Sequence, residues 1–245
     1  MTVFFPQQVW EPPSENAEDV MIPVADGVEL SGRFYGRDKE APIILFFHGN
    51  GEVAFMYDDI APHYQRAGAN LFVADFRGYG RSGGSPSFST MMSDANATLT
   101  FARDYLEKAG YGGAMFVKGR SLGTHPAVEV AAQQTEKLKG LIVESGSAVM
   151  DRMAGRYGLK LDVPPVKEAL CRHEQKVSSI SLPLLIIHGE RDDLIAPESA
   201  VALYDMVASQ EKEIELIPGA GHNDLLWLGM AQYFGALAKF IERFK

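Results

Sequence analysis

Short apolar runs bounded by glycine or proline recur along this 245-residue chain, at 42–47, 70–74, 114–118, 140–143, 183–187 and 213–217. Four are almost uniformly apolar, the pattern of strands covered on both faces. The segments between them change period. Met92, Ala95, Leu99, Ala102 and Leu106 recur at spacings of three and four, as do Ala200, Leu203, Tyr204 and Val207. A last stripe runs through Leu226, Met230, Phe234, Leu237 and Ile241, which is helical spacing. Asn223 or Asp224 suits the start of that helix, and Arg243 and Lys245 suit its negative end. Upstream, runs at 19–24 and 28–35 flank Ala25-Asp26-Gly27, a hairpin signal, and Pro23 demotes the first run to a sheet edge. The expected fold is α/β: a mostly parallel central sheet with an N-terminal antiparallel hairpin and helices on both faces.

One stretch breaks the rhythm. Residues 147–181 contain Met150, Met153, Tyr157, Pro164-Pro165 and Cys171 and lack a clear strand. We read the chain as a single domain over 1–245 with a small lid-like insertion at 147–181. The alternative is an ordinary crossover carrying one extra helix.

Composition narrows the setting. Cys171 is the single cysteine, so no intrachain disulfide forms and a reducing, cytoplasmic compartment is expected. There are 23 basic and 32 acidic residues, a net charge of −9, which disfavours nucleic acid and anionic membrane as partners. The N-terminus lacks a basic region followed by an apolar stretch, and no run reaches the ~18 apolar residues of a membrane span.

The pattern Gly-x-Ser-x-Gly occurs twice, as Gly80-Arg81-Ser82-Gly83-Gly84 and as Gly119-Arg120-Ser121-Leu122-Gly123. Nucleophilic chemistry needs such a serine on a tight turn between a strand and a helix. Ser121 follows the run at 114–118 and precedes a helical segment at 122–132, with Pro126 tolerated in its first turn. Ser82 runs into Gly83-Gly84-Ser85-Pro86, which cannot start a helix, so Ser121 is the expected nucleophile. The spacing Gly78-x-Gly80-x-x-Gly83 imitates a dinucleotide fingerprint. It opens a loop instead of a helix, so no helix N-terminus awaits a pyrophosphate.

A serine hydroxyl needs a base to take its proton. His222 lies in Pro218-Gly219-Ala220-Gly221-His222, after the last strand and so at the same end of the sheet as Ser121. His48 and His188 each close a strand as His-Gly and are expected to bond loop backbone. His63 is read as a surface or satisfied core residue, and His173 as solvated. His125, four residues past Ser121, is read as packing. A carboxylate must then orient the imidazole. Asp192, just past the run at 183–187, is the choice, with Asp193 and Glu144 as alternatives. The developing oxyanion needs two donors, assigned to the backbone N–H groups of Leu122 and Asn50. Met150, Met153, Tyr157 and Trp227 are candidate linings of an apolar acyl pocket, with core packing as the alternative for each.

Together these segments resemble the α/β-hydrolase superfamily. The resemblance rests on His48-Gly49-Asn50-Gly51, Asp75-x-Arg77-Gly78-Tyr79-Gly80-x-Ser82, Gly119 to Gly123, His188-Gly189-x-x-Asp192 and Gly221-His222. The order serine, aspartate, histidine is that of the superfamily. The nearest likeness is to the small-lidded branch with monoacylglycerol-lipase-like and serine-aminopeptidase-like hydrolases. The resemblance implies a loop of structural role at 75–82. Ala196 before Pro197 departs from the apolar or proline pair common in such relatives, a change confined to a turn. The expected activity is hydrolysis of a small-molecule acyl ester or thioester without metal or organic cofactor. Amide hydrolysis, acyl transfer and a non-catalytic binding module are the alternatives.

Overall fold

A computed structural model describes residues 3–147 and 164–245. Eight strands form one sheet: β1 Glu18–Pro23, β2 Glu29–Tyr35, β3 Ile43–Phe47, β4 Asn70–Ala74, β5 Met115–Arg120, β6 Leu141–Glu144, β7 Leu184–Gly189 and β8 Lys212–Ile217. Their order is β1-β2-β4-β3-β5-β6-β7-β8. β1 pairs antiparallel with β2, and β2 antiparallel with β4. From β4 through β8 every pairing is parallel. Pro23 sits on β1 at the sheet edge, where a missing N–H costs no ladder bond.

The helices are α1 Ala61–Arg66, α2 Phe88–Lys108, α3 Thr124–Gln133, α4 Pro164–Ser179, α5 Glu198–Met206 and α6 Leu225–Phe244. Strand alternation decides which face each covers. Ile43, Leu45 and Phe47 point to a core shared with Leu99 of α2, Val128 of α3, Val177 of α4 and Leu203 of α5. Ile44 and Phe46 point the other way, to a core shared with Tyr64 of α1 and Tyr233 and Leu237 of α6. Each such apolar side chain contributes roughly 1.5–3 kcal/mol when fully buried. Both faces of the central strands are therefore dry, as their uniform apolarity requires.

Within the stretch expected as a lid-like insertion, 148–163 lie outside the described residues, and Met150, Met153 and Tyr157 with them. Pro164–Ser179 is helical, and Lys176 pairs with Glu129 of α3.

Two local readings need correction. The last helix buries Leu225, Tyr233, Leu237, Phe240 and Ile241, while Met230 is exposed. The helix kinks at Gly229, where a Cβ would meet Ile217 Cγ2 at 2.3 Å. Leu237 and Ile241 of the expected stripe are buried, and Leu226 and Phe234 pack partly buried against the same core, so the departure is confined to Met230. At its start Asp224 holds the capping position but does not cap: its Oδ1 accepts from the Gly221 N–H at 2.6 Å.

Candidate active site

The parallel strands end along one rim, and every functional segment hangs from it. β5 runs straight into the turn Ser121–Gly123 and then into α3. Ser121 has φ 50, a left-handed conformation unusual for a non-glycine residue and worth of order 1–3 kcal/mol of strain. The neighbouring glycines make the turn possible. A Cβ at Gly119 would lie 2.3 Å from the Gly123 carbonyl, and one at Gly123 would lie 2.0 Å from the Phe47 carbonyl. The turn is thus wedged against the end of β3, whose Phe47 is in register with Gly119.

Two other loops meet it. His222, after β8, places Nε2 3.0 Å from Ser121 Oγ. Its Nδ1 lies 2.8 Å from Oδ2 of Asp192, three residues beyond β7. Asp192 is buried, and its Oδ1 accepts the N–H groups of Leu194 at 2.9 Å and Ile195 at 2.7 Å. Burial alone would raise its pKa. Hydrogen bonds from His188, His222 and the Ile195 backbone more than offset that and hold the carboxyl well below the usual range. An ionised carboxylate only accepts, so His222 Nδ1 carries the proton. In the neutral ring Nε2 is then an acceptor, and the Ser121 hydroxyl donates to it.

This is a half-exposed hydroxyl, an oriented imidazole and a buried anion in a row, standing on strand ends of a doubly covered parallel sheet. A model of the family described as serine aminopeptidase, S33, matches residues 38–172 and 166–226. The chain belongs to this S33 family of α/β hydrolases. It is 30% identical over 209 residues to alpha/beta hydrolase domain-containing protein 17B of Xenopus laevis, covering 82% of this chain and 66% of that protein. The human protein of the same name is 29% identical over 211 residues, with the same coverage. The chain spans 66% of the length of these curated relatives. An esterase of Pyrococcus furiosus superposes with TM-score 0.77 at 20% identity, over 98% of both chains. A soluble variant of monoglyceride lipase from Saccharomyces cerevisiae, in complex with a substrate analogue, gives 0.73 at 16% identity, over 98% of this chain and 99% of that one. These structural likenesses establish the fold.

The other residues of this S33-family chain sort by contact. Ser82 is buried and bonds Ser31, accepting the Ser31 N–H at 2.9 Å. His48 Nδ1 contacts the Gly49 carbonyl at 2.7 Å, and its Nε2 lies 3.3 Å from Asp75. His188 Nε2 contacts the Ile195 carbonyl at 2.8 Å. His63 stacks on Phe234. His125 is buried between Phe88 of α2 and His173 of α4. Burial, with His173 adding to it, pushes its pKa down to about 3, so it packs as a neutral ring. His173 is half-buried against it, a correction to the solvated reading.

Trp227 is also corrected. It is 88% exposed, which does not fit a buried lining of an apolar pocket. Leu122 is buried directly after Ser121, and Asn50 lies in the loop after β3. The Asn50 side chain is occupied elsewhere: Oδ1 accepts from Phe5 N–H at 2.9 Å and Tyr79 OH at 2.6 Å, and Nδ2 donates to the Val3 carbonyl at 2.7 Å.

Glu144 does not face the imidazole. It accepts from Lys118 Nζ at 2.6 Å, Tyr233 OH at 2.7 Å and Arg120 Nε at 3.0 Å. Burial would raise its pKa, but Lys118 and Arg120 bring it down to about 2. Sequence reasoning passed over this charged cluster. Its signal was Lys118 inside an otherwise apolar strand, with Arg120 inside the nucleophile motif itself. Among the described residues, no group of three or more His, Cys, Asp or Glu is arranged to hold a metal ion, and no helix is long and apolar enough to cross a membrane.

Proposed function

We propose that this chain is a serine hydrolase that cleaves a carboxylic ester or thioester through an acyl-enzyme on Ser121. The observation that carries the reading is the continuous row from Ser121 Oγ to His222 at 3.0 Å and from His222 to Asp192 at 2.8 Å. As the Ser121 oxygen attacks the acyl carbonyl, its proton passes to His222 Nε2. The imidazolium that forms is stabilised by the ionised Asp192. The carbonyl oxygen becomes an oxyanion, assigned to the backbone N–H groups of Leu122 and Asn50, each worth ~10²–10³ in turnover. Collapse expels the alcohol or thiol, which takes the proton from His222. Water then attacks the acyl-enzyme while His222 receives its proton, the acid leaves, and Ser121 is regenerated.

The S33 membership supports a hydrolase, and the strained turn at Ser121 supports a nucleophile, since such strain persists where the surroundings over-determine it. The substrate class is a small acyl ester; amides and acyl acceptors other than water use the same groups. The deciding test has two parts. A fluorophosphonate should label Ser121, and p-nitrophenyl esters of two to sixteen carbons, run beside aminoacyl amides, should give turnover highest on an ester. A chain that takes no label and hydrolyses nothing in the panel is a binding module instead.

A further inference from the structure

Arg120 directly precedes Ser121, and its guanidinium bonds three separate segments. Nε donates to Glu144 at 3.0 Å, and Nη1 donates to Glu52. Nη2 donates to the His222 carbonyl at 3.1 Å and to Asn223 Oδ1 at 2.9 Å. Glu52 passes the contact on: its Oε2 accepts the Gly49 N–H at 2.8 Å and the Tyr57 hydroxyl at 2.5 Å. A Cβ at Gly49 would lie 2.6 Å from Arg120 Nη1, so the loop after β3 rests directly on the guanidinium. One planar fork therefore ties the nucleophile turn to the loop of the assigned oxyanion donor and to the loop of the base. The base loop is also held by Gly219 N–H on Glu190 at 3.0 Å, Arg191 N–H on the Ala220 carbonyl at 2.7 Å and Gly221 N–H on Asp224 at 2.6 Å, but of these contacts the Arg120 bonds are the ones that join it to the nucleophile turn.

We propose that Arg120 is a positioning residue for the reaction, holding the His222 loop and the Asn50 loop in register with Ser121. The proposal deepens the serine-hydrolase reading and rests on it. Arginine is required for geometric reasons. Its donors point in fixed directions and reach Glu144, Glu52 and the His222 loop together, whereas a lysine ammonium is a single point on a flexible stem. Glu144 is itself anchored by Lys118 and Tyr233, so the fork is braced from the sheet side.

The test compares Arg120→Lys and Arg120→Met with wild type. Two readouts are taken: steady-state hydrolysis of p-nitrophenyl butyrate, and the low-field NMR resonance of the His222 Nδ1 proton in histidine-labelled protein. Both variants should lose about 10- to 100-fold in kcat, as misplacement of a reacting group does. KM should stay within about twofold, since ground-state binding is untouched. The low-field resonance should broaden or vanish in both. Should Arg120→Met fail to fold, Arg120→Lys, which keeps the charge, decides. Wild-type kcat or an unchanged resonance in Arg120→Lys overturns the proposal. If wild type itself neither hydrolyses esters nor takes a fluorophosphonate, the serine-hydrolase reading falls, and the resonance alone judges the tether.

Discussion

Ser121 Oγ and His222 Nε2 stand 3.0 Å apart although 101 positions separate them in the chain. A contact of that length lets the proton move without rearrangement. Ser121→Ala should therefore lower ester turnover by at least ~10⁴-fold and abolish fluorophosphonate labelling. Alanine fits the same turn as serine, so circular dichroism and the melting temperature should hardly change. Turnover that survives in this variant removes Ser121 from the chemistry.

Asp192 acts through the tautomer it imposes on His222. Asp192→Asn presents an amide N–H or a weaker acceptor and frees the ring to move its proton to Nε2. The expected loss in kcat is ~10³–10⁴-fold. Steady-state kinetics on one p-nitrophenyl ester suffices, and a loss under about tenfold would point to a different orienting group.

Ser82 shares the five-residue pattern of Ser121 but has a structural place, accepting the Ser31 N–H at 2.9 Å in a buried site. Ser82→Ala should cost ~1–3 kcal/mol in urea unfolding, the penalty for leaving a buried donor unmet. Turnover per folded molecule should equal wild type. A variant that keeps its stability and loses activity reverses the assignment of the two serines.

His125 gives the fold an acid sensitivity that can be isolated. Its pKa falls from 6.5 to about 3 on folding, so between those values the unfolded chain binds a proton the folded chain refuses. Stability therefore rises with pH through this window and is lost on acidification. Moving from pH 6.5 to 4.5 should cost about 2–3 kcal/mol through this group. Urea unfolding at several pH values, with His125→Gln alongside, reads the difference. Equal slopes for the two proteins would assign the sensitivity elsewhere.

Local pattern was enough for much of the fold. The parallel strands start and stop within two residues of the apolar runs, and for the central ones the reason is that a strand dry on both faces tolerates no polar alternation; β8, at the sheet edge, alternates Glu213 and Glu215 with Ile214 and Leu216. Pro23 marked the sheet edge for an equally local reason. The nucleophile turn was legible too, since strand, glycine, serine and helix are adjacent in the chain. Where a tertiary contact intrudes, local periodicity misleads. The last helix kinks at Gly229, where Ile217 packs close, and Met230 of the expected stripe is left exposed, which no spacing within 225–244 encodes.

By itself, then, the sequence determined which segments are strands, which serine stands on a strained turn, and which strand-end loops offer a histidine and an aspartate. Only the tertiary structure decided that His222 and Asp192 meet Ser121 in one row, that Glu144 serves Lys118 and Arg120 instead, and that Arg120 joins the end of β6 to the loops of Glu52 and His222. The physical reason is range. Periodicity and turn preference act over a few residues, whereas a hydrogen bond between loops depends on strand order, register and side-chain direction, which are settled only when the whole sheet closes.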